Sequence, residues 1–84
     1  MSVVVKKGTY VHTKSSKRYE VIGVAHHSES MEQMVVYRPL YASDVELYAR
    51  PLKMFVETIE LDGKVVPRFR YIDSSAIRRS SYYI

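Results

Sequence analysis

The stretch Glu60-Leu61-Asp62-Gly63-Lys64-Val65 carries the strongest local signal in the chain. An Asp-Gly pair accepts the positive φ angles of a type I′ turn, whose twist matches that of two antiparallel strands. It predicts a hairpin ending near Pro67-Arg68-Phe69. Outward from this hairpin the same grammar repeats. Short segments rich in Val, Ile and Tyr are separated by Gly, Pro, Ser or Asp about every 8–12 residues, the pattern of a small all-β barrel or sandwich.

Gly8 to His12 reads as a first strand, with Tyr10 and His12 on one face and Val11 on the other, because side chains alternate along a strand. The basic segment Lys14 to Arg18 is the turn. Tyr19 to His26 reads as the second strand, with Tyr19, Val21, Gly23 and Ala25 on one face and Glu20, Ile22, Val24 and His26 on the other. Gly23 marks a bulge or bend inside it. Ser28 to Gln33 is a loop, although Ser30 and Gln33 also fit a capping box that would support one helical turn.

Met34 to Leu40 is a third strand with Pro39 near its end, Ala42 to Val45 a turn, and Leu47 to Arg50 a fourth short strand. Pro51 suits the first turn of a helix, where its missing N–H costs nothing, and Leu52, Phe55 and Val56 follow with helical spacing. A short helical turn is therefore expected near residues 51–56. From Ile72 onward periodicity is weak, and a partly ordered tail with a closing turn through Ser74 to Arg79 is expected.

The 84 residues suit a single domain, 46% of them hydrophobic, with eight tyrosines, two phenylalanines and no tryptophan. That is enough apolar material for one packed core, so disorder is not the reading. There are no cysteines, which removes disulfides and thiolate zinc sites and points to an intracellular, cytoplasmic setting. Three valines before a basic pair do not make a signal peptide, and no apolar run approaches the roughly 18 residues of a membrane helix. No membrane partner is expected.

The net charge of +4 is unevenly spread. Residues 1–18 hold five basic and no acidic groups, residues 19–63 three basic and eight acidic, and residues 64–84 five basic and one acidic. Basic ends with an acidic middle serve solubility, and they also permit a patch that attracts a polyanion.

The series Gly8-x-Tyr10-x-His12-x-Lys14, Tyr19-x-Val21, Ala25-x-His27-Ser28-Glu29, Glu32, Val36-Tyr37, Leu40-Tyr41, Arg50-Pro51-x-x-Met54-Phe55, Gly63 and Pro67-Arg68-Phe69 resembles a bacterial domain-of-unknown-function family, number 1653. The resemblance spans about residues 8–70. It departs from the family pattern after Lys14, where Ser15-Ser16-Lys17-Arg18 stands in place of a shorter turn with a glycine. Ser30 takes the place of a threonine, and Tyr48 that of a tryptophan. The resemblance implies a compact, mostly β fold of SH3 type, and it supplies no function.

The residues offer several chemistries. His12, His27 and Glu29 would give a two-histidine, one-carboxylate metal set if strands one and two brought them together. His26 and His27, adjacent on a strand, point to opposite faces. Ser28 lacks the glycine-rich elbow of a nucleophile, which leaves Glu29 with His27 as the easier acid–base pair of a small hydrolase. No phosphate-binding glycine loop is present, so a nucleotide or other anion would be held by Arg50, Arg68 and a histidine. Arg50 and Arg68 could instead pair with Glu29 or Glu32 to tie loops together. Tyr10, Tyr19, Tyr37, Tyr41 and Tyr48 beside Lys14, Lys17 and Arg18 would suit single-stranded nucleic acid, each stacked base contributing about 1–3 kcal/mol. Burying those aromatic bodies in a core is the commoner use.

The favoured reading is a non-enzymatic binding module with no cofactor and no metal. His12, His27, Glu29, Tyr37, Arg50 and Arg68 are expected at one end of the barrel, where they recognise a small ligand or a peptide or protein partner. Nucleic-acid or nucleotide binding is the alternative.

Overall fold

Alternation of apolar residues produces strands only if each strand finds a partner, and the pairing is what a computed structural model of the chain supplies, describing residues 4–72. The order is β1 (Gly8–His12), β2 (Arg18–His26), β3 (Gln33–Pro39), β4 (Tyr48–Pro51), α1 (Leu52–Phe55), β5 (Thr58–Leu61), β6 (Lys64–Pro67) and β7 (Phe69–Tyr71). The expected all-β class with one helical turn is what the chain adopts. The tail from residue 73, including the turn expected through Ser74 to Arg79, lies outside the described residues.

Strands β1 to β4 form an antiparallel meander, and β7 returns to pair with β1, giving a five-stranded sheet of order β4-β3-β2-β1-β7. The hairpin β5–β6 forms a separate two-stranded sheet. At its tip Asp62 and Gly63 have φ of 52° and 77°, the two positive angles that the Asp-Gly pair promised. The hairpin ends at Pro67, inside the expected Pro67-Arg68-Phe69, and Phe69 begins β7 against His12.

The five-stranded sheet is strongly curled. Strands β3 and β7 are three places apart, about 14 Å at the usual spacing of neighbouring strands, yet the rings of Tyr37 and Phe69 lie 5.5 Å apart. Only a sheet wrapped around its own concave face brings them together. That face holds the core of Tyr10, Val21, Val35, Tyr37, Leu52, Phe55 and Phe69. Helix α1 supplies Leu52 and Phe55, and Phe55 stacks on Phe69 at 4.3 Å with the planes 7° apart. Among the described residues no helix is long and apolar enough to cross a membrane.

The bulge marked by Gly23 has a consequence that simple alternation misses. Val21 pairs with Tyr37 but Gly23 pairs with Val36, so Ile22 is the extra residue. Residues directly opposite share a face, and past the bulge Val24 opposes Val35 and His26 opposes Gln33. Val24 and His26 therefore lie on the same face as Val21, and Gly23 and Ala25 on the other. The face assignment expected for residues 23–26 is reversed because one inserted residue flips a period of two.

The helical turn that Ser30 and Gln33 would cap is not formed, because Met31 is left-handed and Gln33 already begins β3. The His27 N–H donates to the Glu32 carbonyl at 2.8 Å and the Met31 N–H to the His27 carbonyl at 2.8 Å, and Met31 takes φ of 63°. This closes a tight loop at the hairpin tip, whose residues 27–33 are all exposed.

Candidate functional site

Register fixes which polar residues meet. In β4, Arg50 opposes Val35 and Tyr48 opposes Tyr37, so both face the concave core side. In β1 and β7, His12 opposes Phe69 and Tyr10 opposes Tyr71, on that same side. Curling then carries β4 over β7. The Arg50 guanidinium carbon lies 5.7 Å from the centre of the Phe69 ring, and the His12 ring meets Phe69 edge-on at 5.1 Å. Arg50 Nε donates to the hydroxyl of Tyr37 at 3.4 Å.

Arg68 joins from the link between β6 and β7. Its Nη2 donates to Glu57 Oε1 at 2.7 Å, and its backbone N–H donates to the Glu57 carbonyl at 3.1 Å. Its carbonyl accepts from the N–H of Thr13 at 2.9 Å, and Thr13 Oγ1 donates to the Pro67 carbonyl, which ties the first turn to this corner. Its Nε is buried without a hydrogen-bond partner.

His12 is held in one tautomer. The backbone N–H of Ser15 donates to His12 Nδ1 at 3.3 Å and the Ser15 hydroxyl lies 2.9 Å from the same nitrogen. An acceptor Nδ1 leaves the ring proton on Nε2. Burial, then the cations Arg68, Arg50 and Lys14, hold the imidazole pKa below its ordinary 6.5, so His12 is neutral at pH 7.

Four of the six expected site residues, His12, Tyr37, Arg50 and Arg68, thus gather around Phe69. His27 and Glu29 do not join them. His12 leads into the turn before Arg18, whereas His27 follows His26 at the other end of β2, about 25 Å along the strand at the usual rise per residue. The expectation that His27 faces His12 fails, and with it the His12, His27 and Glu29 metal set. Among the described residues no group of three or more His, Cys, Asp or Glu side chains is placed to hold a metal ion. His27 instead caps its own loop, its Nδ1 accepting from the N–H groups of Glu29 and Ser30 at 3.2 Å each.

The arginine pairings also differ from expectation. Among the described residues the ion pairs are Arg38–Glu20 and Arg68–Glu57, neither involving Glu29 or Glu32. Glu57 was not foreseen, though the turn positions it: Glu57 stands five residues before Asp62 and Arg68 five after Gly63, so hairpin register sets them opposite. The tyrosines differ in exposure, Tyr41 and Tyr48 being half-buried with the Lys17 ammonium 4.8 Å from the Tyr41 ring centre. Tyr10 and Tyr37 are buried, and Tyr19 packs edge-on against Tyr37, Tyr41, Tyr48 and Phe69. The Tyr19 and Tyr41 hydroxyls are 2.7 Å apart, and burial, then that contact, raises the Tyr19 pKa far above its usual 10.

The model of a family described as protein of unknown function (DUF1653) matches residues 8–71. Among solved structures, the chain resembles the crystal structure of a DUF1653 protein from Bordetella bronchiseptica. The two are 33% identical, with 81% of this chain and 87% of that chain covered and a TM-score of 0.75. No curated protein matches the chain.

Proposed function

The chain belongs to DUF1653, a family of proteins of unknown function, and on that premise we propose that it is a non-enzymatic module that binds an anionic group of a small ligand or peptide at Arg50. One observation carries this reading. Arg50 is a half-buried guanidinium on the inner face of the sheet with no carboxylate within 4 Å among the described residues, while its neighbour Arg68 is paired with Glu57.

A cation withdrawn from water without a counter-charge costs free energy. The Phe69 face and the Tyr37 hydroxyl offset part of that cost and hold the side chain in one orientation. A bound anion would supply the missing charge, and arginine presents a fork suited to two parallel hydrogen bonds. His12, Tyr37 and Arg68 are the supporting residues; His27 and Glu29 have no part in this site.

Thermal unfolding of the full chain tests it. At matched ionic strength, acetate or inorganic phosphate should raise the midpoint above that in chloride, and the rise should vanish in Arg50→Gln. A ligand present at 100 times its Kd stabilises by about 2.7 kcal/mol, well within reach of the measurement. No rise with either anion would contradict the proposal.

A further inference from the structure

We infer that the group bound at Arg50 is a carboxylate, taken end-on by Nη1 and Nη2 of Arg50, with the Nε2–H of His12 as a third donor. This rests on the reading of Arg50 as an anion site and goes beyond it by naming the chemistry of the group.

Geometry gives the approach. Arg50 Nε is already committed to Tyr37, which leaves the edge made by the two Nη groups. One face of Phe69 is covered by the parallel ring of Phe55 at 4.3 Å, so the guanidinium occupies the other face. The Phe69 contact and the Tyr37 hydrogen bond thus restrain the guanidinium before any ligand arrives, which lowers the ordering cost of binding. The His12 ring meets the same phenyl group, and Ser15 holds its Nδ1, so the proton-bearing Nε2 is the nitrogen left to bind a ligand.

Charge selects the class. Arg68 and Glu57 cancel as an ion pair, His12 is uncharged, and Arg50 contributes one positive charge. A carboxylate matches that charge and the planar fork together. A phosphate dianion would leave one negative charge uncompensated at a half-buried position. Lys14 is within electrostatic reach of His12, but it stands on an exposed turn where salt screens it.

Isothermal titration of the full chain at pH 7 separates the alternatives, with sodium benzoate, N-acetyl-alanyl-phenylalanine, the C-terminal amide of that peptide, and inorganic phosphate as probes. The inference expects binding of benzoate or of the free-acid peptide and none of the amide. Benzoate alone would point to a small acid, the free-acid peptide to a chain terminus, and either supports the carboxylate. Arg50→Lys keeps the charge without the fork and should weaken binding at least tenfold. His12→Ala should weaken it about tenfold, the worth of one hydrogen bond to a charged acceptor, and His12→Gln should restore part of that loss. Phosphate binding as tightly as the carboxylates would overturn the inference while leaving Arg50 an anion site. Equal binding of amide and acid, or unchanged binding in Arg50→Lys, would overturn it as well. No binding of any anion would overturn both readings.

Discussion

Arg50 and Phe69 lie four places apart in the strand order β4-β3-β2-β1-β7, and the guanidinium carbon nevertheless sits 5.7 Å from the centre of the phenyl ring. That contact spans the open side of the curled sheet and joins its two edge strands. It couples the core, through the stacked pair Phe55–Phe69, to the polar corner formed by His12, Arg68 and Glu57. Core integrity and site geometry are therefore expected to respond together when Phe69 is altered.

Phe69 is the first test of that coupling. It is buried and touches Tyr19, Tyr37, Phe55 and His12, so Phe69→Ala should lose about 3–5 kcal/mol in urea denaturation. Phe69→Leu retains most of the volume but removes the ring under Arg50. It should fold and still bind anions more weakly than the native chain, with the loss read by titration.

His12 makes stability depend on pH in a known direction. Burial, Arg68, Arg50 and Lys14 hold its folded pKa below 6.5, so the unfolded chain binds the proton first on acidification. Stability from this group is complete above pH 6.5 and falls as pH drops from 6.5 toward the lower folded value. Denaturation midpoints measured across that window should decline, and His12→Gln should remove that part of the slope. A bound anion beside the ring favours imidazolium, so saturating benzoate should shrink the decline.

Gly63 reports on the hairpin. Its φ is 77°, and a Cβ added there would meet nothing within 4 Å, so Gly63→Ala tests backbone conformation alone. The cost should be about 1–2 kcal/mol, the penalty of the left-handed region for an L-residue. If Glu57 and Arg68 are aligned by this turn, the same variant should weaken their coupling in a double-mutant cycle.

The Tyr19–Tyr41 hydroxyl pair predicts alkaline behaviour. Burial and the contact with Tyr41 raise the Tyr19 pKa, and burial raises that of Tyr10. Both groups stay protonated in the folded chain above pH 10 while the unfolded chain ionises, so stability is lost as pH rises past 10. Absorbance at the tyrosinate band should show fewer tyrosines titrating near pH 10 in the folded than in the urea-unfolded chain. Tyr41→Phe should lower the Tyr19 midpoint.

Much of this was legible in the residues. The Asp62-Gly63 turn, the limits of β1, the bulge beside Gly23 and the short helix after Pro51 each follow from local chemistry, and local chemistry survives folding. What alternation could not give was its own reversal at Ile22, which depends on how Val24 and His26 register against β3. The return of Phe69 to Tyr71 to the large sheet was hidden for a related reason, because it depends on the register of Phe69 against His12 in β1. The site was half legible: polar residues at 12, 37, 50 and 68 stood out. Their meeting at Phe69, and the exclusion of His27 and Glu29, depend on the curl of the sheet and on the length of β2.

The most direct test of the account is a nitrogen-15 NMR titration of the full chain with sodium benzoate, following the side-chain N–H signals of Arg50 and Arg68 and the ring nitrogens of His12 and His27. The account predicts saturable shifts at Arg50 and at His12 Nε2 with one dissociation constant, and a silent His27. Saturable shifts at His27 with Arg50 and His12 unmoved would contradict it.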